Sequence, residues 1–320
     1  MAKIDVKDYE GVGQIPSIFS MYLPDVADDY PHLRVLSADM SYGARLERFK
    51  ALYPQQFINV GIAEQNLIGV CAGLSAEGYK CVAIAQATFI TMRCFEQVRQ
   101  YLSYMGYPII LIGINSGLSM QFMGNTHYAI EDLSIMRSIP NLLVLAPSDS
   151  AEAVKAFDYA LKADRPVYIR LNGCPDRGTV WTEDFDYNLK GKIIKDGTDM
   201  TILSVGSMVP VALEAAQTIE EKGLTVRVVD MLSVSPFDKD VVKNCCKSRL
   251  MVTIEEHYIT GGLGSAVAET ISEGNSIPLL RLGIGDRYSV VGDYDFLLEQ
   301  HRLTAPQIVE DILEKYSKLS

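Results

Sequence analysis

The chain has 320 residues, 48% apolar and 22% charged, with a net charge of −11. That length suits about two domains with substantial cores, and the acidic balance argues against a nucleic-acid binder, which needs a basic face. No run approaches the ~18 apolar residues of a membrane helix, and the opening MAKIDVKDYEGVG lacks the apolar core of a signal peptide, so a cytoplasmic protein is expected.

Short β-branched runs alternate with helical patterns along the first half. Strands are predicted at 34–38, 80–84, 108–114, 142–146 and 166–171, with helices at about 62–76, 89–104, 130–138 and 148–163. Ser148 and Asp149 follow Pro147 as N-cap candidates for the last helix. Continuous apolar strands separated by helices indicate a mainly parallel sheet covered on both faces. Residues 172–198 are rich in Gly, Asp and turn signals and read as an interdomain connection. A second alternation follows, with strands at 200–205, 224–230, 249–255 and 278–282 and helices at about 208–222, 237–245, 262–273 and 304–317. The expectation is two tandem α/β domains, 1–175 and 199–320, joined by a linker at 176–198.

The six cysteines are scattered without a C-x-x-C pair and the four histidines lie far apart, so no metal site is expected and the thiols read as reduced. Open parallel sheets bind ligands at the carboxyl ends of their strands, which here are 59–64, 85–95, 115–128 and 170–174. Glu64 sits among Val60, Ile62, Ala63, Leu67, Ile68 and Val70, where an unpaired charge is costly, so a partner must exist. It could also serve only as first-turn charge at a helix N-terminus. His127 and Glu131 have i, i+4 spacing, which fits a metal pair or an ordinary helix-surface contact. Phe89, Met92 and Phe95 form a stripe of the kind that usually packs in a core. GGLGS (261–265) matches no phosphate-loop pattern and reads as a tight strand-to-helix turn, while Glu255, Glu256 and His257 suggest a structural or interface role.

Several ordered segments resemble one family. FINVGIAEQNLIGVCAGLSAEGYK is similar to the pyrimidine-domain motif of transketolases and 1-deoxyxylulose-5-phosphate synthases. ATFITMRCFEQVRQ and GNTHYAIEDLSIMRSIPNLLVLAPSD resemble the segments that follow it. MTILSVGSMVPVALEAA, VRVVDMLSVSPFD and VTIEEHYITGGLGSAV resemble the family's C-terminal domain. The resemblance implies a pyrimidine-binding domain followed by a transketolase C-terminal-like domain, and thiamine diphosphate as cofactor. Full-length members carry a G-D-G…N motif for the diphosphate and Mg²⁺. No such motif occurs here, so the resemblance is to the C-terminal subunit of a split transketolase. It implies an N-terminal partner subunit that binds most of the Mg²⁺ diphosphate, and an α2β2 heterotetramer acting on small sugars.

By the same resemblance, Glu64 bonds the cofactor's pyrimidine nitrogen, Phe89 and Phe95 contact its ring, and His127 assists at the reacting carbon and sugar hydroxyls. Two positions depart from the family. Met123 stands where an Asp usually contacts a substrate hydroxyl, and RLNG (170–173) puts Gly173 where an Arg suits a substrate phosphate, leaving Arg170 as the substrate cation. The leading expectation is two-carbon ketol transfer between sugars or sugar derivatives. Alternatives are a decarboxylating deoxyxylulose-phosphate-synthase-like reaction, a 2-oxo-acid dehydrogenase E1 β-like subunit, and a non-catalytic regulatory subunit.

Overall fold

A computed structural model describes residues 4–274 and 276–319. The first half forms a six-stranded, wholly parallel sheet: β1 (Leu33–Ser37), β2 (Phe57–Asn59), β3 (Lys80–Gln86), β4 (Ile110–Ile114), β5 (Leu143–Leu145) and β6 (Val167–Arg170), in the order β2-β1-β3-β4-β6-β5. Apart from the short, partly exposed β2, its strands are buried on both faces, which explains their continuous apolar sequence. Leu33, Val35, Val82, Ile84, Ile110 and Ile112 enter one core, while Leu36, Cys81, Ala83 and Leu111 enter the other. Two-residue periodicity thus assigns one run to two faces.

The second half forms β7 (Lys192–Lys195), β8 (Met200–Ser204), β9 (Val226–Asp230), β10 (Leu250–Tyr258) and β11 (Leu279–Ile284), ordered β11-β10-β8-β9-β7. Only β7 runs antiparallel. It lies inside the turn-rich stretch read as connection, a strand too short and too charged (KIIK) to stand out. The helical run 14–26 was also unforeseen; Pro16 and Pro24 mask it, yet Ile18, Phe19 and Leu23 bury against the helix Ser150–Lys162. Asp149 caps that helix, accepting from Glu152 N at 2.9 Å.

The strand order reverses between β1 and β3, so the crevice for a ligand opens at their carboxyl ends. The helix Glu64–Ala76 starts beside it, after β2. Residues 89–104 continue from β3 as one helical run with wide π-type turns over Phe89–Arg93 and Val98–Tyr104. Such turns break regular helical spacing and are frequent at functional sites.

Candidate active site

Three of the predicted residues meet at this crevice. Gly61, at φ +77°, turns the chain after β2 and delivers Glu64 to the first helical position. The Glu64 side chain is only 6% exposed, and its Oε2 lies 2.7 Å from Arg93 Nη1, a guanidinium that is 46% exposed. Arg93 also lies over the Phe89 ring, Cζ to centroid 4.2 Å. Phe89 in turn meets His127 edge-on, with centroids 5.3 Å apart at 69°. A buried carboxylate, an aromatic face and an imidazole therefore form one continuous wall. It can hold a planar ring that donates a hydrogen bond at its edge.

His127 ends the loop after β4. Thr126 Oγ1 lies 2.9 Å from His127 Nδ1, and Asn125 exchanges two hydrogen bonds with the Ser289 backbone, at 2.7 and 2.9 Å. Tyr128 donates to Gln121 O at 2.5 Å and to Val290 O at 3.1 Å. The second domain thus holds the histidine loop in position. Gly124, at φ +71°, permits this approach: a Cβ there would lie 2.9 Å from Val291. Met123 is exposed beside the loop.

The structure moves two predicted residues elsewhere. Phe95 is half-buried and packs against the main core instead of joining the wall around Phe89. Arg170 is a correction: it is buried at the seam between domains, donating to Asp132 Oδ2 at 2.8 Å, Ala129 O at 3.0 Å and Glu256 O at 2.9 Å. Its guanidinium neutralises Asp132, which also accepts from Tyr168 OH at 2.8 Å. A cation so engaged is no substrate contact.

Arg93 escaped the sequence reading, whereas Glu255, Glu256 and His257 were given a structural or interface role. Arg93 lies four positions after Phe89, and that helical spacing could have placed it over the ring. Glu256, inside β10, accepts from Leu118 N at 2.6 Å, Tyr294 OH at 2.8 Å, Asn172 Nδ2 at 3.1 Å and Ser207 Oγ. It anchors the β4 loop from below. Glu255 accepts from Leu263 N and Gly264 N at 2.7 and 2.8 Å; burial pushes it up to about 7 against the pull of those amides. The GGLGS segment is thus a tight turn closed on a carboxyl group. Buried His257 accepts from Ser134 N through Nε2, with Nδ1 against Tyr258 O at 2.7 Å, and desolvation lowers its pKa. These three residues lie within β10 and their contacts are structural.

Gly173 lines a cavity of about 440 Å³ together with Gln14, Arg45, Asn115 and Asn172. Arg45 is its one cation among the described residues. A Cβ on residue 173 would run into the Asn115 carboxamide, which Gln86 Oε1 holds at 3.1 Å. Among the described residues, no group of three or more His, Cys, Asp or Glu could hold a metal, and no helix is long and apolar enough to cross a membrane.

A parallel pyrimidine-type domain followed by a second, mixed α/β sheet defines a recognisable class, and comparison identifies it. Residues 14–173 match the family described as "Transketolase, pyrimidine binding domain", and residues 189–308 match "Transketolase, C-terminal domain". The chain belongs to the transketolase family. It is 35% identical over 303 residues to a "Putative transketolase C-terminal section" of Methanocaldococcus jannaschii, covering 92% of this chain and 94% of the relative. It is 38% identical to "6-deoxy-6-sulfo-D-fructose transketolase subunit SqwH" of a Clostridium strain, covering 86% and 85%. A solved "Split gene transketolase, inactive beta4 tetramer" superposes with a TM-score of 0.84 at 36% identity, covering 95% and 98%. The chain therefore corresponds to one subunit of a two-chain transferase.

Proposed function

We propose that this chain is the pyrimidine-binding subunit of a thiamine-diphosphate-dependent transketolase, moving a two-carbon ketol unit between sugars or sugar derivatives. The observation that carries this is Glu64, a buried carboxylate at the crevice whose one ionic partner among the described residues is a half-exposed guanidinium. Such a group suits the protonated edge of an aminopyrimidine, and Phe89 offers that ring a face to stack on. When bound, thiamine diphosphate would supply a nucleophilic carbon and an electron sink for cleaving the bond beside a ketose carbonyl. Glu64 would hold the proton at the ring nitrogen, and His127 would donate to a sugar hydroxyl or the reacting oxygen.

The diphosphate and its Mg²⁺ go, on this reading, to an N-terminal subunit, in an α2β2 assembly in the cytoplasm. Relatives named as a C-terminal section and as separate subunits support a partner chain. Gly173 and Met123 support a modified sugar over an ordinary pentose phosphate, as do relatives named for 6-deoxy-6-sulfo-D-fructose and apulose-4-phosphate.

The test is the complex reconstituted with its N-terminal subunit and screened against ketose donors. Glu64→Ala should reduce turnover by at least ~10³-fold with assembly intact, the scale lost when one strong transition-state interaction is removed. Unchanged turnover would sink the assignment. Similarity at 29–33% identity to 1-deoxy-D-xylulose-5-phosphate synthases, which this chain spans to about half their length, favours a second reading. Release of CO₂ from a 2-oxo acid donor, with no transfer from ketoses, would establish it.

A further inference from the structure

The guanidinium of Arg93 does two things that the reading above reserves for the cofactor ring. It bonds Glu64 Oε2 at 2.7 Å, and it lies 4.2 Å above the Phe89 face. Its planar, delocalised cation presents an N–H to the carboxylate as the protonated ring nitrogen of an aminopyrimidine would. Resting on that reading of the site, we infer that Arg93 is a built-in placeholder for the pyrimidine. In the empty chain it compensates the buried Glu64 charge and covers the Phe89 ring. Entry of the cofactor requires it to swing aside.

The local structure suits such a role. Gln65 Nε2 donates to Arg93 O at 3.1 Å, which fixes the backbone while the side chain stays 46% exposed. Among the described residues, Glu64 is the only hydrogen-bond acceptor of the guanidinium. Release therefore breaks one ion pair and one ring contact, and water solvates the departing charge. The wide turn over Phe89–Arg93 brings residue 93 back over residue 89. A lysine would retain the charge without the planar edge, so placeholder strength should fall from Arg to Lys to Met.

The experiment uses the full chain and a probe that needs no partner subunit, 4-amino-5-hydroxymethyl-2-methylpyrimidine, followed by NMR shifts of ring-labelled phenylalanine. Arg93→Met should bind the probe about five- to thirtyfold more tightly than wild type, the factor lost with one exposed ion pair and one cation–π contact. Arg93→Lys should fall between, and Glu64→Gln should abolish the binding. Equal or weaker binding by Arg93→Met, with wild-type binding still dependent on Glu64, overturns the placeholder and leaves the pyrimidine site standing. Binding by none of the proteins, or binding indifferent to Glu64→Gln, overturns the site reading and the proposal together.

Discussion

Two buried glutamates, Glu64 at the crevice and Glu256 at the seam between the domains, have opposite surroundings. Glu256 is enclosed by donors from four segments: Leu118 N, Asn172 Nδ2, Ser207 Oγ and Tyr294 OH. Glu64 faces one exposed arginine. The first is saturated by protein; the second has a single ion-pair partner among the described residues, which under the proposed function leaves it to the cofactor. Under-partnering, more than burial, separates a site carboxylate from a structural one.

Substitutions can break that contrast. Glu256→Ala would strand the four donors at the seam, with an expected loss of about 3–5 kcal/mol in urea unfolding. A loss below about 1 kcal/mol would erase the distinction. Asp132→Asn should cost about 3 kcal/mol, because it removes the carboxylate that pairs directly with buried Arg170.

The seam also holds Glu152 and Asp230, both buried and sharing Ser148 Oγ at 2.6 and 2.8 Å. Burial, with Asp230 facing it, raises Glu152; burial also raises Asp230, to about 7, against hydrogen bonds from Ser148 and Trp181. Asp149 adds a further negative charge nearby. Because the folded pair binds protons more tightly than the unfolded chain, its contribution to stability is full in acid and is lost as pH rises through about 7. Urea midpoints should therefore fall between about pH 5 and about pH 8, and Glu152→Gln should flatten that slope. A rising midpoint would refute the sign. The smallest effect belongs to Glu64→Ala, which should alter stability by no more than about 1 kcal/mol, since its partner returns to water.

Much of this was legible in the sequence wherever local pattern decides the outcome. The apolar runs at 80–84 and 108–114 became β3 and β4, and GIAE placed Glu64 at the start of a helix. Glu64, Phe89 and His127 were each visible in a contiguous motif. Arg170 was misplaced because a cation at a strand end reads the same whether it faces a cleft or a second domain. Glu256 drew a structural expectation, but its donors lie far away in sequence, at 118, 172, 207 and 294, and no periodicity joins them. β2 and β7, three and four residues long, offer too little pattern to register.

The close approach of Gly173 to Asn115 limits what position 173 can hold. Any side chain at position 173 first meets a carboxamide that Gln86 holds, so an arginine there requires Asn115 to shift. Asn115 sits at φ +56°, a conformation that asparagine tolerates better than most residues, so its replacement is itself constrained.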